Sequence, residues 1–101
     1  MKERRILIVE DDPNSASYLY NQLIALGYKR IDFAVNSADA IDLIKETAPD
    51  IIFMDIFLRG SKNGIETARE ILKLATIPIV FVTGSSNFYL VEEAGFKEQP
   101  G

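Results

Sequence analysis

Glu10, Asp11 and Asp12 follow directly on the apolar run Ile6-Leu7-Ile8-Val9, and Asp55 follows directly on Ile51-Ile52-Phe53-Met54. Carboxylates gathered at strand ends repel one another, by roughly 4 kcal/mol for a pair about 4 Å apart at an effective dielectric of about 20. Such a group is held together by raised pKa values or by a bound cation, and carboxylate oxygens suit a hard ion such as Mg²⁺. Taken singly, each residue has a plainer reading. An acidic triplet makes a solvated, helix-capping turn, and Asp12 before Pro13 reads mainly as such a cap. A lone Asp55 would serve equally well as a strand-ending turn residue. The case for a site is that both groups fall where adjacent strands would end together. Thr83 opens the loop Thr83-Gly84-Ser85 after a later apolar run, and by itself it is ordinary loop chemistry. Beside a carboxylate nucleophile its hydroxyl could donate to a phosphoryl oxygen, with Gly84 leaving the approach to Asp55 open.

The elements that must position these residues alternate regularly. The run 6–9 is short, continuous and β-branched, as in a strand buried on both faces. After Asp12-Pro13, Tyr18, Leu19, Leu23 and Leu26 recur at helical spacing until Gly27 stops them. Ile31-Asp32-Phe33-Ala34-Val35 alternates like a more exposed strand. Asn36 or Ser37 then caps a helix carrying Ala40, Ile41, Leu43 and Ile44, closed off by Pro49. Asp55 ends the third strand, and the turn-rich stretch Arg59-Gly60-Ser61-Lys62-Asn63-Gly64 leads to a helix with Ile65, Ala68, Ile71 and Leu72 on one face. Residues 77–82 make a fourth strand with Pro78 tolerated near its start, and residues 88–94 are expected to form one short helix before Gly95.

This order predicts an α/β fold, a doubly wound parallel sheet with right-handed crossovers and helices on both faces. Ligands in such sheets bind beyond the carboxyl ends of the strands, where strand order reverses. With order 2-1-3-4 that crevice lies between the first and third strands. Glu10, Asp11 and Asp55 would flank it, with Thr83 at the end of the neighbouring fourth strand.

Composition narrows the chemistry further. The 101 residues are 48% hydrophobic and 26% charged, which suits one domain with one core. A net charge of −4 argues against a nucleic-acid or anionic-membrane surface, because either needs a basic face. Cysteine and histidine are both absent, which removes disulfides, thiolate chemistry and the commonest general base. Carboxylates, hydroxyls and lysines remain. Neither a signal-peptide core nor a run of membrane-spanning length is present, so the expected location is cytoplasmic.

Glu10-Asp11-Asp12 after its strand, Met54-Asp55, Asn63-Gly64, and Pro78-Ile79-Val80-Phe81-Val82-Thr83-Gly84, in this order and spacing, make the chain resemble the receiver domain of two-component response regulators. The stretch Met54-Asp55-Ile56 with Gly60 and Asn63-Gly64-Ile65-Glu66-Thr67-Ala68 looks most like prokaryotic receivers attached to or partnered with sensor histidine kinases. The resemblance implies a flavodoxin-like receiver fold and a switch rather than a metabolic enzyme. Asp55 would be the phosphoacceptor, taking a phosphoryl group from a kinase histidine or a phosphotransfer protein. Asp11 would bind Mg²⁺ directly, Glu10 would act on it largely through water, and the backbone carbonyl of Phe57 would complete the protein ligands. Thr83 would be the switch hydroxyl that alters a surface read by a downstream partner.

The sequence departs from the family at its far end. A Lys-Pro step is expected roughly 20 residues after the Thr, the length of a helix, a loop and a strand. Lys97 is followed by Glu98 in a polar stretch and is not given that role. The expectation is therefore a receiver truncated before its fifth strand and last helix, with an exposed edge at the fourth strand that invites self-association. The alternative is a degenerate receiver that acts as an interaction module without phosphorylation. Two other classes fit less well. An aspartate-nucleophile phosphatase wants an acid two residues past the nucleophile, where Phe57 stands, and a flavin-phosphate site would be repelled by Glu10-Asp11-Asp12.

Overall fold

The computed structural model describes residues 3–82, 88–92 and 95–98. Strand β1 (Arg5–Val9) leads to helix α1 (Pro13–Ala25), strand β2 (Arg30–Ala34), helix α2 (Ser37–Thr47), strand β3 (Ile51–Asp55), helix α3 (Gly64–Leu74) and strand β4 (Ile79–Val82). Strands β5 (Phe88–Glu92) and β6 (Gly95–Glu98) follow. The sheet runs β2-β1-β3-β4-β5-β6, with the first four strands parallel and β5 and β6 antiparallel. The expected 2-1-3-4 order is therefore present, with three helices on its crossovers.

Alternation along β1 sends its side chains to two separate cores. Ile6 and Ile8 pack with Leu23 of α1, while Leu7 and Val9 join Ala40, Ile44, Ala68 and Ile71 from α2 and α3. The second core is the larger, taking in Ile52, Met54, Ile79 and Phe81 from the central strands. Its breadth explains why β1 reads as an unbroken apolar run: both of its faces are covered.

Local chemistry fixes the helix ends. Asn36 is the N-cap of α2, accepting from the Asp39 N–H at 2.8 Å, and Asn63 forms a full capping box with Glu66 at α3. Helix α1 departs from its sequence pattern. Leu23 is buried and Leu19 partly so, but Tyr18 is 67% and Leu26 75% exposed, and the small Ala16 takes the inner position instead. A 3.6-residue period that mixes large apolar side chains on both sides of the stripe does not say which of them face inward.

Beyond β4 the structure corrects two expectations. Residues 88–92 form a strand rather than part of a helix, because Phe88-Tyr89-Leu90-Val91 is aromatic and β-branched, and β4 offers it a row of backbone groups to pair with. Since β5 lies against β4, that strand is not the sheet edge from which self-association was expected, and the ends of the sheet are β2 and β6. Lys97 falls in β6, opposite Leu90.

Candidate functional site

Strand register assembles the acidic group. Val9 pairs with Met54 in the parallel β1–β3 ladder, so the next residues along, Glu10 and Asp55, leave the sheet side by side. The Glu10 N–H continues the ladder to the Ala34 carbonyl at 2.9 Å, fixing where its side chain starts. Carboxylate oxygens of Glu10, Asp11 and Asp55 all lie within 4.8 Å of one another, and all three residues are half-buried. Asp12 turns the other way and caps α1, accepting from the Ser15 N–H at 3.1 Å and the Ser15 hydroxyl at 2.8 Å.

Each carboxylate has a distinct electrostatic setting. Burial pushes the Glu10 pKa up, an effect opposed by the Asp12 N–H that its Oε2 accepts at 3.1 Å and reinforced by the nearby Asp55 and Asp11; the result is about 7. Asp11 is held below the usual carboxylate range, first by its hydrogen bond with the Arg59 guanidinium. Arg59 Nε donates to Asp11 Oδ2 at 2.8 Å. Asp55 Oδ1 accepts from the Phe57 N–H at 3.0 Å, which fixes the rotation of that carboxyl group.

The loop after Asp55 is held close to the site by a backbone contact. Gly64 at the start of α3 donates to the Ile56 carbonyl at 3.1 Å. A Cβ on Gly64 would sit 2.0 Å from the Asp55 carbonyl oxygen and 2.8 Å from its carbonyl carbon, so only glycine lets α3 approach this strand end. The Asn63-Gly64 pair thus combines a cap with a required close approach.

The donor set fits a small hard cation. Mg²⁺ takes oxygen ligands at about 2.0–2.1 Å in an octahedron, which spaces its ligands about 3–4 Å apart, and it binds through one or two carboxylates plus water and phosphate oxygens. Glu10, Asp11 and Asp55 offer oxygens on that scale at the carboxyl end of the central strands. Phe57 lies two residues past Asp55 with its N–H turned to that carboxylate. Thr83 and Gly84 lie outside the described residues, although Val82 immediately before them pairs with Asp55. Arg59 was not singled out from sequence, because in a run of turn residues an arginine looks like a solvated loop charge. Its signal is its position four residues past Asp55, in the loop that must fold back over the acidic group.

The family model for the response regulator receiver domain matches residues 6–96. The chain belongs to that family. This receiver is similar to the signal receiver domain of a modulated diguanylate cyclase from Desulfovibrio desulfuricans G20, at 36% identity and a TM-score of 0.75 over 83% of this chain and 67% of that one. The N-terminal domain of a response regulator/sensory box/GGDEF three-domain protein from Carboxydothermus hydrogenoformans matches at 33% identity and a TM-score of 0.75, over 82% of this chain and 66% of that one. The response regulator PhyR from Brucella abortus matches at 30% identity and a TM-score of 0.75, over 83% of this receiver and 35% of the PhyR chain. This receiver therefore spans between 35% and 67% of the length of these relatives. Among the described residues no helix is long and apolar enough to cross a membrane.

Proposed function

We propose that this receiver accepts a phosphoryl group on Asp55 with Mg²⁺ held by Glu10, Asp11 and Asp55, and passes the change to a protein partner. The observation that carries this reading is the convergence of three carboxylates within 4.8 Å at the switch point of the sheet, in a chain of the receiver family. When bound, Mg²⁺ supplies positive charge to the phosphoryl oxygens. Asp55 Oδ1 is held by the Phe57 N–H, which leaves Oδ2 to attack phosphorus in line. As the Oδ2–P bond forms, the P–N bond of a donor phosphohistidine breaks and its electron pair returns to the imidazole. A carboxylate nucleophile attacks through an oxygen lone pair and needs no general base. Thr83 is assigned to reading the bound phosphoryl group, and the carbonyl of Phe57 to the metal.

The donor is a sensor histidine kinase or phosphotransfer protein, and the setting is cytoplasmic. The domain is a switch whose only chemistry is on itself. Intact mass after incubation with an acyl phosphate and Mg²⁺ should show one phosphate, labile to base and absent from Asp55→Asn. Millimolar Mg²⁺ should also raise the melting temperature of wild type more than that of Asp11→Asn, since a ligand stabilises the state that binds it. Labelling retained in Asp55→Asn would place the nucleophile elsewhere. No labelling of wild type, with Mg²⁺ bound, would assign the domain to partner binding without phosphorylation.

A further inference from the structure

The Arg59 guanidinium lies on the acidic cluster it is not part of. Its Nε meets Asp11 Oδ2 at 2.8 Å, and charge from Asp11, Asp12 and Asp55 all acts on it. The two partners differ in setting: the Arg59 side chain is 82% exposed and that of Asp11 only 18%. The loop geometry places it there, since Arg59 precedes Gly60, whose φ of +118° turns the chain into a conformation that side-chain-bearing residues rarely adopt.

An arginine that stabilised a permanent ion pair would be expected to use both arms of its fork and to be packed by its neighbours. Here the guanidinium offers one bond, from Nε–H of a solvated side chain, while the Arg59 backbone N–H also favours the Asp11 carboxylate and would remain if the side chain left. A monovalent guanidinium so placed neutralises one carboxylate of a group of three, whereas a divalent cation engages the whole group. Both want the same Asp11 oxygens, because charge and position are shared and the cluster offers no second cation at that point among the described residues.

We propose that Arg59 is a resident counter-ion that pairs with Asp11 until a divalent cation displaces it, and thereby sets how tightly the cluster binds metal. This rests on the reading of Glu10, Asp11 and Asp55 as a metal site. Exposed ion pairs are weak, so the competition is modest: removing it should tighten metal binding roughly two- to five-fold. Lys62 provides the control. It belongs to the same loop and carries the same charge, but pairs with Glu70 of α3 rather than with the cluster.

The test is Mg²⁺ titration of wild type, Arg59→Ala and Lys62→Ala, followed by backbone amide shifts and by the guanidinium Cζ resonance of Arg59. Arg59→Ala should bind Mg²⁺ more tightly, Lys62→Ala should match wild type, and the Arg59 Cζ signal should move with the same midpoint as the amide of Asp11. Unchanged or weaker affinity in Arg59→Ala, equal tightening in both variants, or an Arg59 signal that ignores Mg²⁺ would overturn the assignment while leaving the metal site standing. A wild type that binds no divalent cation would remove the metal site and this role together.

Discussion

Glu10 is the residue whose protonation the fold perturbs most clearly. Its folded-state pKa of about 7 lies above the ordinary value of 4.5, so the folded protein holds this proton more tightly than the unfolded chain does. The stabilising contribution is therefore fully present below about pH 4.5 and is lost as pH rises through about 7. Without divalent ions, thermal melts should show stability falling across this window, and Glu10→Gln, which stays neutral, should flatten that slope. A variant with the wild-type slope would assign the pH dependence to other groups. Mg²⁺ should oppose the trend, since it favours the ionised carboxylate. Glu10, Asp11 and Asp55 were legible in the sequence because each ends or follows an apolar run, and a parallel sheet brings such ends together. Arg59 was not, because the fold-back that brings it 2.8 Å from Asp11 depends on loop conformation rather than on spacing along an element.

At the scale of elements, the junction of β3 and α3 positions the Asp55 side of the candidate site. The Asn63 cap ends the loop and Gly64 lets the helix start against the Asp55 carbonyl, so the loop bearing Phe57 and Arg59 is pinned at both ends. Gly64→Ala should push α3 away from β3, because the new Cβ meets backbone atoms that cannot turn aside. The expected loss is about 1–3 kcal/mol, as for overpacking, together with weaker Mg²⁺ binding. Denaturant melts and Mg²⁺ titration of the variant check both, and a variant as stable as wild type would show that the junction has slack. The caps and the inward face of α3 were readable from sequence, since Ala68 and Ile71 are buried where the period puts them. The strand β5 was not. Four consecutive apolar residues carry no period that separates helix from strand, and the choice was made by the unpaired side of β4.

Across the whole molecule, chemistry and response are assigned to different strands. Asp55 closes β3, while Thr83 follows β4, whose last residue Val82 pairs with Asp55 and accepts from the Ile56 N–H at 3.4 Å. A phosphoryl group on Asp55 would thus lie beside the end of a strand packed into the larger core through Ile79 and Phe81. Close-packed interiors shift between discrete arrangements rather than deforming smoothly, so a new contact at the end of β4 can bias the strands beyond it. This separation predicts a divided phenotype for Thr83→Ala. It should still take phosphate on Asp55, because attack needs only the carboxylate and the metal, but the amide shifts that phosphorylation produces in β4 and β5 should shrink or vanish. Intact mass and amide spectra of the same sample measure the two halves. A Thr83→Ala protein that cannot be phosphorylated would place the hydroxyl in the transfer step, and one with the full wild-type response would remove it from the switch, leaving the route from Asp55 to run through the β3–α3 loop instead.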